Sequence, residues 1–228
     1  MYKLQNKLIL LTHQNIAGTL LLGVELGIAV SVSASLACII YEIAKPHTAV
    51  LGQIPGTFVY RSIRQYPEAK LHDQISILRI DAPLYFPNVA FIKDKVTRII
   101  LGVSEGGEVL PDHAGSKHSN PPKFVILEMG PVLNCDSSGA HALTHIVEEC
   151  KKSGVQICLS NPNGNVLRVL ETAEVINTMG RDWLFLRVHE AVQACLLAMV
   201  EDEQDQGMKL GNAEGLQHRR SKTDHLPL

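Results

Sequence analysis

This 228-residue sequence lacks the features of several common classes of protein. Its net charge at pH 7 is only −2, so no excess of basic residues favours binding to nucleic acid. Its 5 cysteines are odd in number, scattered, and without a C-x-x-C pair, which argues against a disulfide framework and a cysteine zinc site. We therefore expect no nucleic-acid partner, no structural zinc, and a reduced, cytosolic setting for the soluble part.

The usual catalytic motifs are also scarce. The chain has no Walker-type glycine loop, and nothing near Ser137 supplies a base that could turn its hydroxyl into a nucleophile. His141 and His145 have the i, i+4 spacing of helical metal ligands, but they lack the Glu of H-E-x-x-H and fit a solvated helix face better. We expect no enzyme activity, no cofactor and no metal.

Long apolar runs are absent except in one place. No charged residue occurs over residues 26–41, and together with 20–24 this run approaches the roughly 20 residues that cross a bilayer. We predict a transmembrane helix over 16–44, after a flank over 1–15. Small residues at near-helical spacing favour a place in a larger helix bundle, where Glu25 lies at the interface or faces a polar pathway. A lone anchor and a buried core helix are the alternatives.

The remaining residues 45–200 indicate one domain of strands alternating with helices. A hairpin or edge strand is predicted after Pro46, a strand over 75–80, a second extended piece over 81–87, and a helix capped by Asn88. Three further strand and helix pairs follow, over 124–129 and 138–153, 155–159 and 166–173, and 184–186 and 188–200. The pattern predicts an α/β fold, with a mobile loop over 102–123 and a disordered polar tail over 201–228.

The segment Asp136, Ser137, Ser138 and Gly139 connects a buried strand to a helix. Backbone N–H groups and the positive end of the helix dipole favour an anionic group there, such as a phosphate on Ser137. The alternative is that Asp136, Ser137 and Ser138 cap the helix, which contributes about 1 kcal/mol. Asp136 then either orients the Ser137 hydroxyl or caps the helix.

A second polar turn follows the next predicted strand. Asn161, Asn163 and Gly164 form the rim of a nucleotide or anion site in one interpretation, because loops at the carboxyl ends of parallel strands converge. Asn and Gly are also common turn residues without any ligand. Both interpretations stay open at the level of sequence.

Several segments together resemble a known family. Residues 46–57, 65–69 and 79–88 are similar to the sulfate permease family of anion transporters, whose last membrane helix passes into a cytoplasmic STAS domain. The Asp136 to Gly139 turn and residues 183–192 match as well, in a plant-type version. STAS domains are similar to bacterial anti-sigma-factor antagonists, and Ser137 occupies the position that resembles their phosphorylated serine.

The resemblance implies sulfate or anion transport as the biological context. One helix cannot enclose an anion path, so we do not expect transport by this chain alone. We expect a cytoplasmic STAS domain, preceded by one membrane helix, that regulates a transporter through its membrane domain, a regulatory protein, a kinase or a second copy. The alternative is a stand-alone, membrane-tethered STAS module that binds other transporters or a cytosolic enzyme.

Overall fold

The computed structural model describes residues 24–101, 121–202 and 204. Six strands form one sheet: β1 Thr48–Gln53, β2 Tyr60–Ser62, β3 Ile75–Ile80, β4 Phe124–Glu128, β5 Gln156–Ser160 and β6 Leu184–Phe185. The helices are α1 Val24–Ala44, α2 Phe86–Ile100, α3 Ser137–Lys152, α4 Gly164–Thr172, α5 Val175–Met179 and α6 over residues 188–202. A short 3-10 helix, Arg181–Trp183, precedes β6.

The sheet is mixed, in the order β2-β1-β3-β4-β5-β6. Strands β3 to β6 are parallel, whereas β1 pairs antiparallel with both β2 and β3. The parallel strands are joined by connections that contain helices, as their geometry requires, and a hairpin with a six-residue loop joins β1 to β2. The predicted α/β class with a mixed sheet is therefore confirmed.

Alternation along the strands divides the core between the two faces of the sheet. One face packs against helices α2 to α5, and its centre is Leu78, Leu127 and Leu159. The other face packs against α6, with Ile77, Ile126 and Cys158 among its buried residues. Because both faces are covered, the central strand β4 is buried at every position, as expected for a strand enclosed by helices.

The sheet has two ends that differ in what they hold. One end, the carboxyl edge, comprises the carboxyl ends of β3 to β6, the start of β1 and the turns that follow the parallel strands. Thr48 at the start of β1 pairs with Ile80 at the end of β3, so the chain leaves α1 and enters the sheet at this edge. The hairpin that follows Gln53 lies at the opposite, amino end of β3.

Most predicted elements agree with the structure to within one or two residues, but the start of α2 was predicted wrongly. The helix begins at Phe86 with Tyr85 as its N-cap, three residues before the predicted start, and Asn88 lies inside its first turn. Pro87 is accommodated because the first helical N–H groups have no partner within the helix. The predicted extended piece over 81–87 contains one bridge, from Leu84 to Cys135, and its last two residues are helical.

Helix α1 is 21 residues long and largely exposed, and only 6% of its most apolar window is buried. Within the described residues it is the one helix long and apolar enough to cross a membrane. Its exposure argues against the buried core helix that was one alternative, and the membrane span stays a prediction. The predicted start at 16, the flank over 1–15 and most of the loop over 102–123 lie outside the described residues. The tail predicted to be disordered from 201 begins instead with helical residues at 201, 202 and 204, and its other residues lie outside the described ones.

Candidate functional site

The predicted turn over Asp136 to Gly139 lies at the carboxyl edge, between β4 and α3. Asp136 is the N-cap of α3, in extended conformation, and Ser137 is the first helical residue. Gly139 packs tightly on the neighbouring segment, since an added Cβ would lie 2.8 Å from the Leu84 carbonyl oxygen and 2.9 Å from the Cys135 Sγ. Glycine at this position therefore allows the segment after β3 and the start of α3 to approach each other closely.

The Asp136 carboxylate binds the start of two helices at once. Its Oδ1 accepts a hydrogen bond from the Gly139 N–H of α3 at 2.7 Å, and its Oδ2 accepts one from the Phe86 N–H of α2 at 3.1 Å. A carboxylate at a helix N-terminus is favoured by both the unpaired N–H groups and the dipole. Of the two predicted roles for Asp136, the capping role is observed, and the cap is shared with α2.

The two serines of the turn differ in exposure. Ser137 is exposed and Ser138 is half-buried, whereas the next residues, Gly139 and Ala140, are buried. The Ser137 side chain is thus accessible to solvent in the folded domain, and its phosphorylation stays a prediction. The neighbouring Cys135 is a poor nucleophile, because burial and the charge of Asp136 raise the pKa of its thiol to about 11.

The second predicted turn lies beside the first. Asn163 caps α4 by accepting a hydrogen bond from the Val166 N–H at 2.9 Å, and its amide donates to the carbonyl oxygens of Val132 and Leu133 in the turn after β4. Gly164 is the first residue of α4 and is exposed. The Asn163 side chain thus connects the two predicted turns, and its polar atoms already have protein partners.

Asn161 adopts a left-handed backbone conformation, with φ of 56°, which asparagine tolerates better than most residues. Its side-chain amide lies 3.4 Å from the Oε1 of Glu128, which is buried and also accepts the Gly130 N–H at 2.9 Å. The structure brings Asn161 and Asn163 to the same edge as Ser137. Whether they bind a nucleotide or an anion stays a prediction.

Sequence reasoning missed a cluster where α1 joins the sheet. Asp81 accepts two hydrogen bonds from Arg79, the shorter at 2.6 Å, and pairs with the His47 Nδ1 at 2.6 Å. The Asp81 N–H also donates to the His47 carbonyl oxygen. His47 directly follows the buried Pro46, so the cluster fixes the junction between α1 and the carboxyl edge. The sequence signal was Arg79 and Asp81 two residues apart at a strand end.

The remaining candidates have simpler surroundings. His141 and His145 are both exposed on α3, and His145 lies beside Lys93 and Glu149. Over residues 24–101 and 121–202, no group of three His, Cys, Asp or Glu side chains is placed to hold a metal ion. Glu25 is exposed in the first turn of α1, and its predicted role in a membrane bundle stays a prediction.

The fold and its edge define a class of protein. A model of the STAS domain family matches residues 66–191, more than half of the chain. The chain therefore belongs to the STAS domain family, as its resemblance predicted. The members of that family are transporters and STAS domains, which are not enzymes.

Two plant sulfate transporters are among the relatives of this chain. The chain is 45% identical over 178 residues to the probable sulfate transporter 4.2 of Arabidopsis thaliana, and 43% identical over 182 residues to the chloroplastic sulfate transporter 4.1 of the same plant. Each match covers 78% of this chain but 25% of the relative. The chain thus spans about a quarter of the length of these homologous sulfate transporters, which are integral membrane proteins.

The fold is also found in a solved transporter. The structure of the mouse Solute Carrier 26 family member A9 anion transporter, in its inward-facing state, matches with a TM-score of 0.64 at 23% identity. The match covers 82% of this chain and 28% of the transporter. At this identity the likeness establishes the fold alone.

Proposed function

We propose that this chain is the STAS regulatory part of a sulfate transporter, held at the membrane by α1 with the domain in the cytoplasm. Two observations support the proposal. The chain is homologous to plant sulfate transporters over most of its length. Its apolar helix enters the domain at the carboxyl edge, which also bears the exposed Ser137.

Within this proposal, Ser137 is a regulatory phosphorylation site. Phosphorylation adds nearly two negative charges to the first residue of α3. Because this is the positive end of the helix dipole, the added charges do not destabilise the helix. The same charges change the surface that the carboxyl edge offers to a partner. The partner in this proposal is the membrane domain of the transporter, which lies on the side where α1 leaves the sheet.

Transport itself then depends on further membrane helices. One helix of 21 residues cannot surround a polar path through a bilayer, because each polar group in the path needs partners on several sides. Under this proposal the chain modulates sulfate transport together with other membrane segments and does not carry sulfate alone.

The test is sulfate uptake by transporter-deficient cells that express this chain alone, a full-length sulfate transporter alone, or both. We expect no uptake with the chain alone and altered uptake on co-expression. Uptake by the chain alone would overturn the proposed dependence on further helices. A membrane-tethered regulator of other transporters would also alter uptake on co-expression. Copurification of the chain with the transporter would indicate direct docking, and failure to copurify would indicate an indirect effect.

A second arm tests the phosphorylation site. Ser137→Asp should change the effect of co-expression, while Ser137→Ala should keep the fold and the effect of the unmodified chain. Ser138→Asp is the matched control, since Ser138 is a half-buried residue one position further into the same helix. Equal uptake with Ser137→Asp and Ser137→Ala would reduce Ser137 to part of the cap.

A further inference from the structure

We infer that Asp136 is a relay that couples the charge state of Ser137 to the first turn of α2. This inference rests on the proposed phosphorylation of Ser137 and adds the route by which it acts. The relay starts from the shared cap: the two carboxylate oxygens of Asp136 each accept one backbone N–H, from Gly139 in α3 and from Phe86 in α2. One side chain thus joins two helix starts that are 50 residues apart in sequence.

Phosphorylation of Ser137 perturbs this arrangement directly. A phosphate on Ser137 is adjacent in sequence to the Asp136 carboxylate, carries charge of the same sign, and competes for the same backbone donors. The bond to Gly139 is the shorter at 2.7 Å and lies within one turn of the chain, so it is the harder to break. The exposed bond to Phe86, at 3.1 Å, joins separate segments and is lost first.

The released segment has a surface that a partner can detect. Tyr85 and Phe86 are exposed, with Phe86 74% accessible, and they start the helix that contacts α1. The rest of this region is held by bonds that do not involve the Asp136 carboxylate, among them the backbone bond from the Asp136 N–H to the Leu84 carbonyl oxygen at 3.0 Å. Asn88 accepts the Tyr85 N–H at 3.0 Å and donates to the Pro83 carbonyl oxygen at 2.8 Å. Losing the carboxylate bond therefore frees the Phe86 N–H in the first turn of α2 without unfolding the helix.

A conservative substitution separates the two functions of Asp136. Asparagine has one side-chain oxygen, so Asp136→Asn can still cap α3 through Gly139 but presents an NH₂ group to the Phe86 N–H. It removes the connection to α2 and keeps the helix cap. Asn163→Ser is the matched control, because Asn163 caps α4 in the same way and its side chain bonds Val166, Val132 and Leu133, which lie outside α2.

The experiment measures amide hydrogen exchange by NMR in the full chain in detergent micelles, with phosphoserine placed at position 137 by genetic incorporation. We expect exchange of the Phe86 amide to accelerate about tenfold on phosphorylation, the factor expected for loss of a hydrogen bond to a charged group. In Asp136→Asn it should be fast already, and phosphoserine should add nothing. Gly139 should stay protected throughout, and Asn163→Ser should leave the response of Phe86 unchanged.

Two results would overturn the relay. One is a Phe86 amide that does not respond to phosphoserine, and the other is an equal, additive response in the Asp136→Asn background. Neither result depends on sulfate uptake. If the Phe86 amide responds to phosphoserine but Ser137→Asp and Ser137→Ala give equal uptake, the proposed regulation is wrong and the coupling stands. If the two variants differ in uptake but the Phe86 amide does not respond, the coupling is wrong and the proposed regulation stands.

Discussion

The carboxyl edge and the β1–β2 hairpin region are held together in different ways. At the carboxyl edge, Asp136, Asn163 and Asn88 bind backbone groups of neighbouring segments, so each turn is fixed by directional hydrogen bonds. At the hairpin, the Phe58 ring packs against His189 in a tilted arrangement with centroids 4.5 Å apart, and the Tyr60 hydroxyl lies 3.3 Å from the His189 Nδ1. His72, which lies between β2 and β3 beside Tyr60, has a buried Nε2 without a hydrogen-bond partner among the described residues.

The difference indicates where the molecule is suited to switching. Hydrogen bonds to a single carboxylate can be broken by one added charge. Contacts between aromatic rings depend on packing over a larger area, so a single charge affects them less. The carboxyl edge is also where α1 joins the sheet. We therefore expect substitutions there to affect both stability and coupling, and substitutions at the hairpin to affect stability alone.

The largest expected difference is between two glycines. Gly139→Ala should lower the free energy of unfolding by about 2 to 3 kcal/mol, because the new methyl group would overlap Leu84 and Cys135. Gly56→Ala in the hairpin should cost only about 1 kcal/mol, because its φ of 74° is strained for alanine but no atom lies within 4 Å of the new Cβ. Urea unfolding followed by the fluorescence of Trp183 measures both, and equal costs would contradict the close approach at Gly139.

The pattern of the sequence predicted the sheet better than it predicted this edge. Strand β3 was found at its observed bounds because β-branched residues fill it, and the apolar face of α3 was found because Leu143, Ile146 and Cys150 have helical spacing. The start of α2 was missed because asparagine is common at the N-cap. Its local preference does not show whether Asn88 is the N-cap itself or, as observed, a residue of the first turn that binds the backbone of the N-cap Tyr85.

The candidate site shows the same limit. Asp136 could be assigned to the cap of α3 from its position before a helix, because that contact is local. Its bond to Phe86 could not be predicted, since it depends on how α2 and α3 pack side by side on the sheet. The junction of His47 with Asp81 was missed for the same reason: the two residues are 34 positions apart.

Asn88 gives the second largest expected effect. Asn88→Ala should cost about 2 kcal/mol, because the buried side chain binds the Tyr85 N–H and the Pro83 carbonyl oxygen, and both would lose their partner. The same urea unfolding curves measure this cost. A cost below about 0.5 kcal/mol would mean that water replaces both bonds, and the carboxyl edge would then be less rigid than we infer.

A smaller effect is expected at the hairpin. Tyr60→Phe should cost about 0.5 kcal/mol, since it removes one half-buried hydrogen bond of 3.3 Å to His189 and keeps the ring. Exchange of the Phe86 amide should be unchanged in this variant. A change at Phe86 would show that the two regions are coupled and would remove the contrast between them.

The last prediction concerns pH, because the hairpin and the carboxyl edge should lose stability in different pH ranges. At the hairpin, burial lowers the pKa of His72 from its ordinary 6.5; the charge of Asp73 opposes this and that of His189 adds to it. As pH falls below 6.5, the unfolded chain binds this proton before the folded chain does, so the free energy of unfolding decreases. His72→Phe should flatten the stability curve between pH 6.5 and 5.

At the carboxyl edge, burial alone would raise the pKa of Asp81, but the hydrogen bonds and charges of Arg79 and His47 outweigh it and hold the pKa below the ordinary 3.8. The stability from Asp81 is therefore complete above pH 3.8 and is lost only in more acidic solution. Asp81→Asn should thus lower stability at pH 7 as well as at pH 5, whereas the pH-dependent effect of His72→Phe should be confined to the range between pH 6.5 and 5. If His72→Phe keeps the slope of the parent chain between pH 6.5 and 5, His72 is not the acid-sensitive group. The hairpin and the carboxyl edge would then not differ in how their stability depends on pH in that range.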